Sequence, residues 1–72
     1  MLEFSVKLKE LRKQYGVKQT DMAKYLDITT RHYQRYEAGE VDPSISTTIT
    51  LADYFNVSLD YLVGRSDNPT RL

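Results

Sequence analysis

The sequence predicts an all-α protein, a compact arrangement of five short helices in one domain. Apolar residues recur every three or four positions along most of the chain, as they do on the buried side of a helix. Three glycines, at positions 16, 39 and 64, directly follow such segments, where helices commonly end. With 72 residues and no cysteine, the chain forms one small core without disulfides.

The first helix is predicted to run from Phe4 to Tyr15. Its apolar residues Phe4, Leu8, Leu11 and Tyr15 are spaced by four, three and four positions, so they share one helical face. Gly16 follows and supplies the left-handed backbone that often ends a helix. We therefore expect these four side chains to form one side of the core.

The second helix is predicted over residues 19–26. Lys18 precedes it, and an ammonium group accepts no hydrogen bond, so this helix lacks a favourable N-cap. Asp21 lies in the first turn, where its negative charge stabilises the positive end of the helix dipole. We expect a weakly capped start.

The third helix is predicted over residues 30–38, after a tight turn. Asp27 is expected to take a left-handed backbone conformation, which Asp tolerates better than most residues. Ile28 is an apolar residue within the turn and is expected to enter the core. Thr29 is a favourable N-cap for the helix that follows. Tyr33 and Tyr36, three positions apart, form its expected buried face.

The fourth segment is ambiguous, because its β-branched residues alternate over residues 45–51 as they would in a strand. A single strand in a helical domain has nothing to pair with, so a helix over residues 45–54 is favoured. The face expected to be buried consists of Ile45, Ile49, Ala52 and Phe55.

A fifth helix follows Ser58, which is its predicted N-cap. Leu59 and Leu62 are expected to face the core, and Gly64 ends the helix. Residues 1–64 then form the folded domain. Residues 65–72 form a polar C-terminal tail that we expect to be mobile.

Composition excludes several classes of function. The longest apolar runs fall far short of the roughly 18 residues of a membrane span, and the N-terminus resembles no targeting signal, so we expect a cytoplasmic protein. Cysteine is absent, and His32, the single histidine, builds no metal site without help from carboxylates. No nucleophile–base arrangement, phosphate-binding glycine loop or small-molecule site is evident. We expect no enzyme activity and no cofactor.

The charges are divided unevenly along a chain of zero net charge. Residues 1–36 carry eight Lys or Arg and four Asp or Glu, whereas residues 37–72 carry two and six. The net charge is therefore +4 in the first half and −4 in the second half. A phosphate backbone would attract the first half and repel the second, which would orient the protein on DNA.

The stretch 19–39 has the features of two helices that cross at a short turn. Ala23 is small enough for close helix contact, and Ile28 can fill the turn from inside. Major-groove readers present such a second helix to base edges. The candidate base contacts are Thr29, Thr30, Arg31, Gln34 and Arg35, residue types that can bond or touch bases. Lys18 and Gln19 are the candidate phosphate contacts.

With these motifs, the chain resembles the Cro/phage-repressor (Xre-type) helix-turn-helix family over residues 8–64. The matching segments are KLKELR at 7–12, Gly16-Val17-x-Gln19 with Met22-Ala23-x-x-Leu26, Ile28-Thr29, Arg35-Tyr36-Glu37-x-Gly39, Pro43-Ser44 and VSLDYLxG at 57–64. The resemblance implies a five-helix, lambda-repressor-like domain that binds double-stranded operator DNA. It also implies base contacts from Thr30, Arg31 and Arg35, with Thr29 beside a thymine methyl, and a phosphate contact from Gln19.

The resemblance further implies a buried ion pair between Arg12 and Glu37 that ties the first helix to the third. Tyr33 departs from the family pattern, which has an aliphatic residue there, so its hydroxyl needs a partner. Ala38 replaces an asparagine that often meets phosphate. Glu40 and Asp42 lie in a loop that is usually basic in the family and make it acidic here, which implies fewer phosphate contacts.

The family is often dimeric, which implies a palindromic operator with half-sites about 34 Å apart. Tyr54, Tyr61 and Val63 are the candidate dimer contacts. A sequence-specific transcriptional regulator, most simply a repressor, is thus the favoured function. The alternative is a protein-interaction module of the antitoxin or anti-repressor type with little DNA binding, which the zero net charge and the acidic loop favour.

Overall fold

The computed structural model describes residues 2–71, so Met1 and Leu72, at the ends of the predicted domain and tail, lie outside the described residues. Within them the fold is all-α, as predicted. The five helices are α1 (Leu2–Gln14), α2 (Gln19–Leu26), α3 (Thr30–Glu37), α4 (Ile45–Phe55) and α5 (Leu59–Leu62). The bounds of α2 match the prediction, and α3 and α4 each differ from it by one residue.

Within residues 2–71, two non-glycine residues take the left-handed backbone conformation, and each ends a helix. Asp27, at the end of α2, has a φ of 57°, and Asn56, at the end of α4, has a φ of 54°. The N–H of Ile28 then donates to the Ala23 carbonyl at 3.0 Å, and the N–H of Val57 donates to the Ala52 carbonyl at 3.0 Å. Both bonds reach back five positions to a carbonyl group in the last turn of the helix, which closes the helix end.

Gly64 is required by its backbone and by its surroundings. Its φ is +84°, and a Cβ atom added there would lie 2.5 Å from the Cβ of Glu3 on α1. The absence of a side chain therefore lets the end of the domain approach the start of α1 closely.

The core is formed by side chains from all five helices, with Val57 from the loop between α4 and α5. Its largest fully buried side chains are Tyr33, Phe4, Phe55, Leu8, Met22, Leu51 and Leu62. Tyr15 was expected on this buried face but lies beyond the end of α1 and is 50% exposed. Its hydroxyl donates to the Phe55 carbonyl at 2.6 Å, and its ring meets Phe55 edge-on.

The predicted buried face of α4 is correct at Ala52 and Phe55 and wrong at Ile45 and Ile49. Ile45 is 74% exposed and Ile49 is 45% exposed, whereas Thr48 and Leu51 are buried. Thr48 can be buried because its hydroxyl donates to the Ser44 carbonyl at 2.8 Å, which satisfies its polar group within the helix. A pattern that scores threonine as polar and isoleucine as apolar therefore misplaces the first half of the buried face.

Leu59 of α5 is a second correction, because it is 39% exposed rather than buried. Leu62 is fully buried, as expected. Residues 58 and 59 and the adjacent part of α4, including Ile49, line a shallow groove on the surface. Apolar side chains predicted for the core thus lie on this outer side of α4 and α5.

The polar tail folds back against the domain instead of projecting freely. The carbonyl of Pro69 accepts a hydrogen bond from the N–H of Ser58 at 2.9 Å. The guanidinium of Arg71 pairs with Asp53 at 2.5 Å and donates to the Ala52 carbonyl at 3.3 Å. The tail was expected to be mobile, but it is hydrogen-bonded to groups at the end of α4 and the start of α5.

None of the helices in residues 2–71 has the length and apolar character needed to cross a membrane.

The corrected face of α4 predicts a large difference between two truncations. Leu51→Ala should lower the free energy of unfolding by about 2–5 kcal/mol, because it opens a cavity in the core. Ile45→Ala should change it by about 0.5 kcal/mol or less, since that side chain is mostly in solvent. Urea denaturation of both variants measures the two changes. Equal losses would contradict the assignment of the buried face.

Candidate nucleic-acid interface

Helices α2 and α3 pack against each other across a short turn and share one piece of core. Met22 and Ala23 of α2 are buried, as are Tyr33 and Tyr36 of α3. Ala23 is 2% exposed, in agreement with its expected place at a close helix contact. Ile28 packs against the same core from the turn. The buried side of α3 is thereby held against α2.

The opposite side of α3 is exposed and polar. Arg31, Gln34 and Arg35 lie on it and, with Ala38 and Glu40, line an open depression. The structure thus brings three of the five candidate base contacts onto one surface. Thr30, at the first position of α3, is half-buried. Two cations and an amide beside a depression suit the hydrogen-bonding edges of bases.

The hydroxyl group of Thr29 has a structural role. It is the N-cap of α3, and its Oγ1 accepts the His32 N–H at 3.0 Å. The cap leaves the methyl group as the part of Thr29 that is suited to a thymine contact. The His32 ring packs against the Tyr36 ring, and His32 Nε2 lies 3.2 Å from the Tyr36 hydroxyl.

The start of α2 is weakly capped, as the sequence suggests. Lys18 is the N-cap residue and its side chain has no hydrogen-bond role there. Its backbone N–H donates to the carboxylate of Asp21 at a long 3.4 Å. The exposed ammonium of Lys18 is therefore available to an anion.

Gln19, a candidate phosphate contact, has its side chain engaged within the protein. Its Nε2 donates to Oε1 of Glu37 at 3.1 Å, and its Oε1 accepts from Nε2 of Gln34 at 3.2 Å. The backbone amides in the first turn of α2 remain suited to a phosphate, as at other helix N-termini. The sequence carried no signal for the contact with Gln34, because the two residues are fifteen positions apart.

Glu37 accepts hydrogen bonds from three elements. Arg12 of α1 donates through Nε to Oε2 at 2.6 Å and through Nη2 to Oε1 at 3.1 Å, so the pair is bidentate. Tyr33 donates its hydroxyl to Oε2 at 2.5 Å, which supplies the partner that this buried tyrosine needs. The Glu37 side chain is only 4% exposed, and Gln19 completes its set of donors. The i, i+4 spacing of Tyr33 and Glu37 is the signal from which this bond could have been predicted.

These contacts shift three pKa values. Burial alone would raise the pKa of Glu37, but the hydrogen bonds from Arg12, Tyr33 and Gln19 outweigh burial and hold it below its ordinary value. The pKa of Arg12 is raised, chiefly by its hydrogen bond to Glu37. Burial and the bond to Glu37 raise the pKa of Tyr33. At neutral pH the network therefore contains one carboxylate, one guanidinium and a neutral phenol.

The candidate dimer residues lie away from the core centre and are half-buried. The ring of Tyr54 meets those of Tyr25 and Phe55 at centroid distances of 4.6 and 5.0 Å. The ammonium of Lys7 lies 4.4 Å from the centre of the Tyr61 ring. Val63 is also half-buried.

Across residues 2–71 no cluster of three or more His, Asp or Glu side chains is arranged to hold a metal ion.

The fold and the exposed polar face of α3 define a helix-turn-helix domain. A family model for this class, described as "Helix-turn-helix", matches residues 8–62. The chain belongs to the helix-turn-helix family. This agrees with the resemblance drawn from its motifs.

Several curated relatives carry the same domain. The uncharacterized HTH-type transcriptional regulator YqaE of Bacillus subtilis is 42% identical over 65 residues, covering 90% of this chain and 56% of the relative. ImmR, an HTH-type transcriptional regulator of the same organism, is 36% identical over 61 residues, covering 85% and 48%. The cryptic phage CTXphi transcriptional repressor RstR of Vibrio cholerae is 31% identical over 64 residues, covering 89% and 57%.

A crystal structure of a transcriptional regulator from Listeria innocua has a TM-score of 0.82 and 41% identity to this chain. The match covers 85% of this chain and 57% of that one. The chain thus spans about half the length of the relatives it matches. These relatives are named as transcriptional regulators, a non-enzymatic class, in agreement with the expectation that this chain is not an enzyme.

The lowered pKa of Glu37 predicts an acid-sensitive fold. A carboxylate with a depressed pKa stabilises the folded state fully above the unfolded value, near 4.3, and loses that contribution as pH falls through the folded pKa. Urea unfolding between about pH 6 and about pH 3 should show this loss. The Glu37→Gln variant should have a lower free energy of unfolding at neutral pH, and that free energy should vary less with pH.

The comparison between wild type and Glu37→Gln isolates this group, because the other carboxylates titrate in both proteins. Gln14→Leu, at the exposed end of α1, is the control for an unrelated surface change. Parallel pH profiles for wild type and Glu37→Gln would contradict a stabilising role for the ionised carboxylate.

Proposed function

We propose that this chain is the DNA-binding domain of a sequence-specific transcriptional regulator, most simply a repressor. The observation that carries the proposal is the exposed face of α3, where Arg31, Gln34 and Arg35 line one depression while Tyr33 and Tyr36 fix the opposite face in the core. Its relatives' names, which include a transcriptional repressor, support the same function. Double-stranded operator DNA is the proposed partner, and the cytoplasm is the proposed location.

In this proposal α3 enters the major groove. Arg31 and Arg35 donate to guanine, Gln34 bonds a base edge, and the methyl groups of Thr29 and Thr30 contact thymine. Lys18, with the first-turn amides of α2 beside Gln19, holds the phosphate backbone. The bidentate pair between Arg12 and Glu37 keeps α3 at a fixed angle to α1.

We propose that the domain binds as a homodimer on a palindromic site. The proposed contact consists of Tyr54, Tyr61 and Val63, which are half-buried. Ile49 and Leu59, which line the groove beside α4 and α5, are further exposed apolar side chains on these two helices. An isologous contact of this kind would present two copies of α3 to successive turns of the groove.

Selection of bound sequences from random double-stranded DNA tests the function and the dimer together. We expect an inverted repeat whose halves are centred about 34 Å apart, one turn of DNA. Recovery of a single unrepeated half-site would refute the dimer while supporting DNA reading. Failure to enrich any sequence would refute sequence-specific binding by this chain.

A protein-interaction module with little DNA binding is the second candidate. Glu40 favours it, because this carboxylate lines the same depression as Arg31 and Arg35 and would repel a phosphate there. Fluorescence anisotropy with random DNA at low salt separates the two candidates. Salt-dependent binding supports the regulator, and the absence of any binding supports the interaction module.

Arg31→Ala should weaken binding to the selected site by about 1–3 kcal/mol and relax base preference at one position in each half-site. The loss arises because alanine cannot donate to guanine. Arg65→Ala removes an equally exposed arginine from the C-terminal tail and serves as the matched control. Unchanged affinity of Arg31→Ala for the selected site would show that Arg31 does not contact a base.

Lys18→Ala should behave differently from Arg31→Ala. Loss of a phosphate contact weakens all sequences alike and reduces the slope of log K against log salt by about 1. Titrations of the selected and a scrambled site over several salt concentrations measure both effects. A loss confined to the selected site would place Lys18 at a base instead of at the backbone.

A further inference from the structure

The C-terminal tail lies across the end of α4 and the start of α5. The carbonyl of Pro69 accepts the N–H of Ser58 at 2.9 Å. The guanidinium of Arg71 pairs with the carboxylate of Asp53 at 2.5 Å and donates to a backbone carbonyl of α4 at 3.3 Å. Residues 66–71 therefore connect the two helices from outside, and we call this segment the strap.

The strap is shaped by its own side chains. Oγ of Ser66 accepts the N–H of Asn68 at 3.0 Å, and Oδ1 of Asn68 accepts the N–H of Thr70 at 3.0 Å. Hydrogen bonds of this kind, from a Ser or Asn side chain to the backbone two residues on, are typical of turns. They bend the chain so that Pro69 reaches α5 and Arg71 reaches α4.

The end of α4 suits a cation that the helix itself does not supply. The last carbonyl groups give a helix C-terminus partial negative charge, which a nearby Lys or Arg stabilises. There is no basic residue in the last turn of α4, and Asp53 adds a negative charge there. Arg71 brings a cation to this place from eighteen positions further along the chain.

The position of α5 depends partly on the tail. This helix has four residues, about one turn, and an isolated helix shorter than about 12 residues is marginal in water. Leu62 fixes its inner side in the core. The N–H groups of Arg65 and Ser66 donate to the Asp60 carbonyl at 2.8 and 3.3 Å, and the strap accepts the N–H of Ser58 at its start.

We propose that the strap is a regulatory device, which must be closed for the domain to form the proposed homodimer. Two of the proposed contact residues lie beside its attachment points. Tyr54 directly follows Asp53, and the N–H of Tyr61 donates to the side chain of Ser58 at 3.0 Å. A closed strap therefore holds these two aromatic side chains in one arrangement. The inference rests on the proposed homodimer and adds a condition for its formation.

The strap can open because its ionic attachment is exposed. The side chains of Arg71 and Asp53 are 42% and 55% exposed. An exposed ion pair contributes little to stability and is weakened by salt. The buried core contains no such attachment, so salt concentration acts on the strap more than on the rest of the fold.

The test compares binding to DNA that carries the selected inverted repeat with binding to DNA that carries one half-site. The ratio of the two affinities measures cooperation between two copies and cancels changes that affect both DNAs alike. Arg71→Asp should reduce this ratio by about 2- to 30-fold, because each of the two copies loses one exposed ion pair. Arg65→Asp makes the same charge change at an exposed arginine of the tail and should leave the ratio unchanged.

Exchanging the two charges should rescue cooperation. Asp53→Arg alone should reduce the affinity ratio, and combining it with Arg71→Asp should restore most of the ratio, because opposite charges again face each other. Added salt should reduce the wild-type ratio more than that of Arg71→Asp, in which no ion pair is left to screen. A double variant that recovers nothing would show that the ion pair does not control the dimer.

Hydrogen exchange at the Ser58 amide reports on the strap directly. This N–H is bonded to the Pro69 carbonyl, so its exchange should be slow in wild type and faster in Arg71→Asp. An amide that stays protected in the variant would overturn the inference, because the ion pair would then not hold the strap. A higher affinity ratio in Arg71→Asp would also overturn it, since the strap would then hinder the dimer.

The outcomes separate this inference from the proposed function. If wild type binds the two half-sites cooperatively and Arg71→Asp does so equally, the strap is wrong while the homodimer stands. If wild type binds them independently, or selects no sequence, the proposed homodimer and this inference fail together. Urea unfolding of each variant establishes that the compared proteins are folded.

Discussion

The orientation of α3 depends on one buried carboxylate. Glu37 accepts bonds from Arg12 on α1, from Tyr33 within α3 and from Gln19 at the start of α2. A buried charge is costly unless it is paired and hydrogen-bonded, so these three donors also depend on the carboxylate. Loss of Arg12 would leave this buried carboxylate without its opposite charge, and α3 would lose its bidentate link to α1.

Two opposite requirements meet on the eight residues of α3. One side must be apolar enough to join a small core, and the other must be polar enough for the proposed contact with DNA. Tyr33 satisfies the first requirement because its ring is fully buried and its hydroxyl reaches Glu37. The polar side of α3 is therefore not needed for the core, and Arg31 and Arg35 can lie there without loss of buried contacts.

Local patterns sufficed to predict the helices, their caps and the turn. The bounds of α2, the left-handed backbone at Asp27 and the N-cap at Thr29 follow from side-chain chemistry within a few residues. The face of α4 could not be predicted in this way, because Thr48 is buried only once its hydroxyl meets the Ser44 carbonyl. The contact between Gln19 and Gln34 required the helix packing itself, which no local pattern contains. The base and phosphate contacts remain predictions.

The division of α3 into a buried and an exposed side has a consequence for how such proteins diverge. Arg31 and Arg35 are exposed, so substitutions there can change the proposed base contacts without disturbing the core. Gln34 is different, because its side chain is hydrogen-bonded to Gln19 on another helix. A substitution at Gln34 alone would remove that bond, so we expect paralogous regulators to vary at these two positions as a pair.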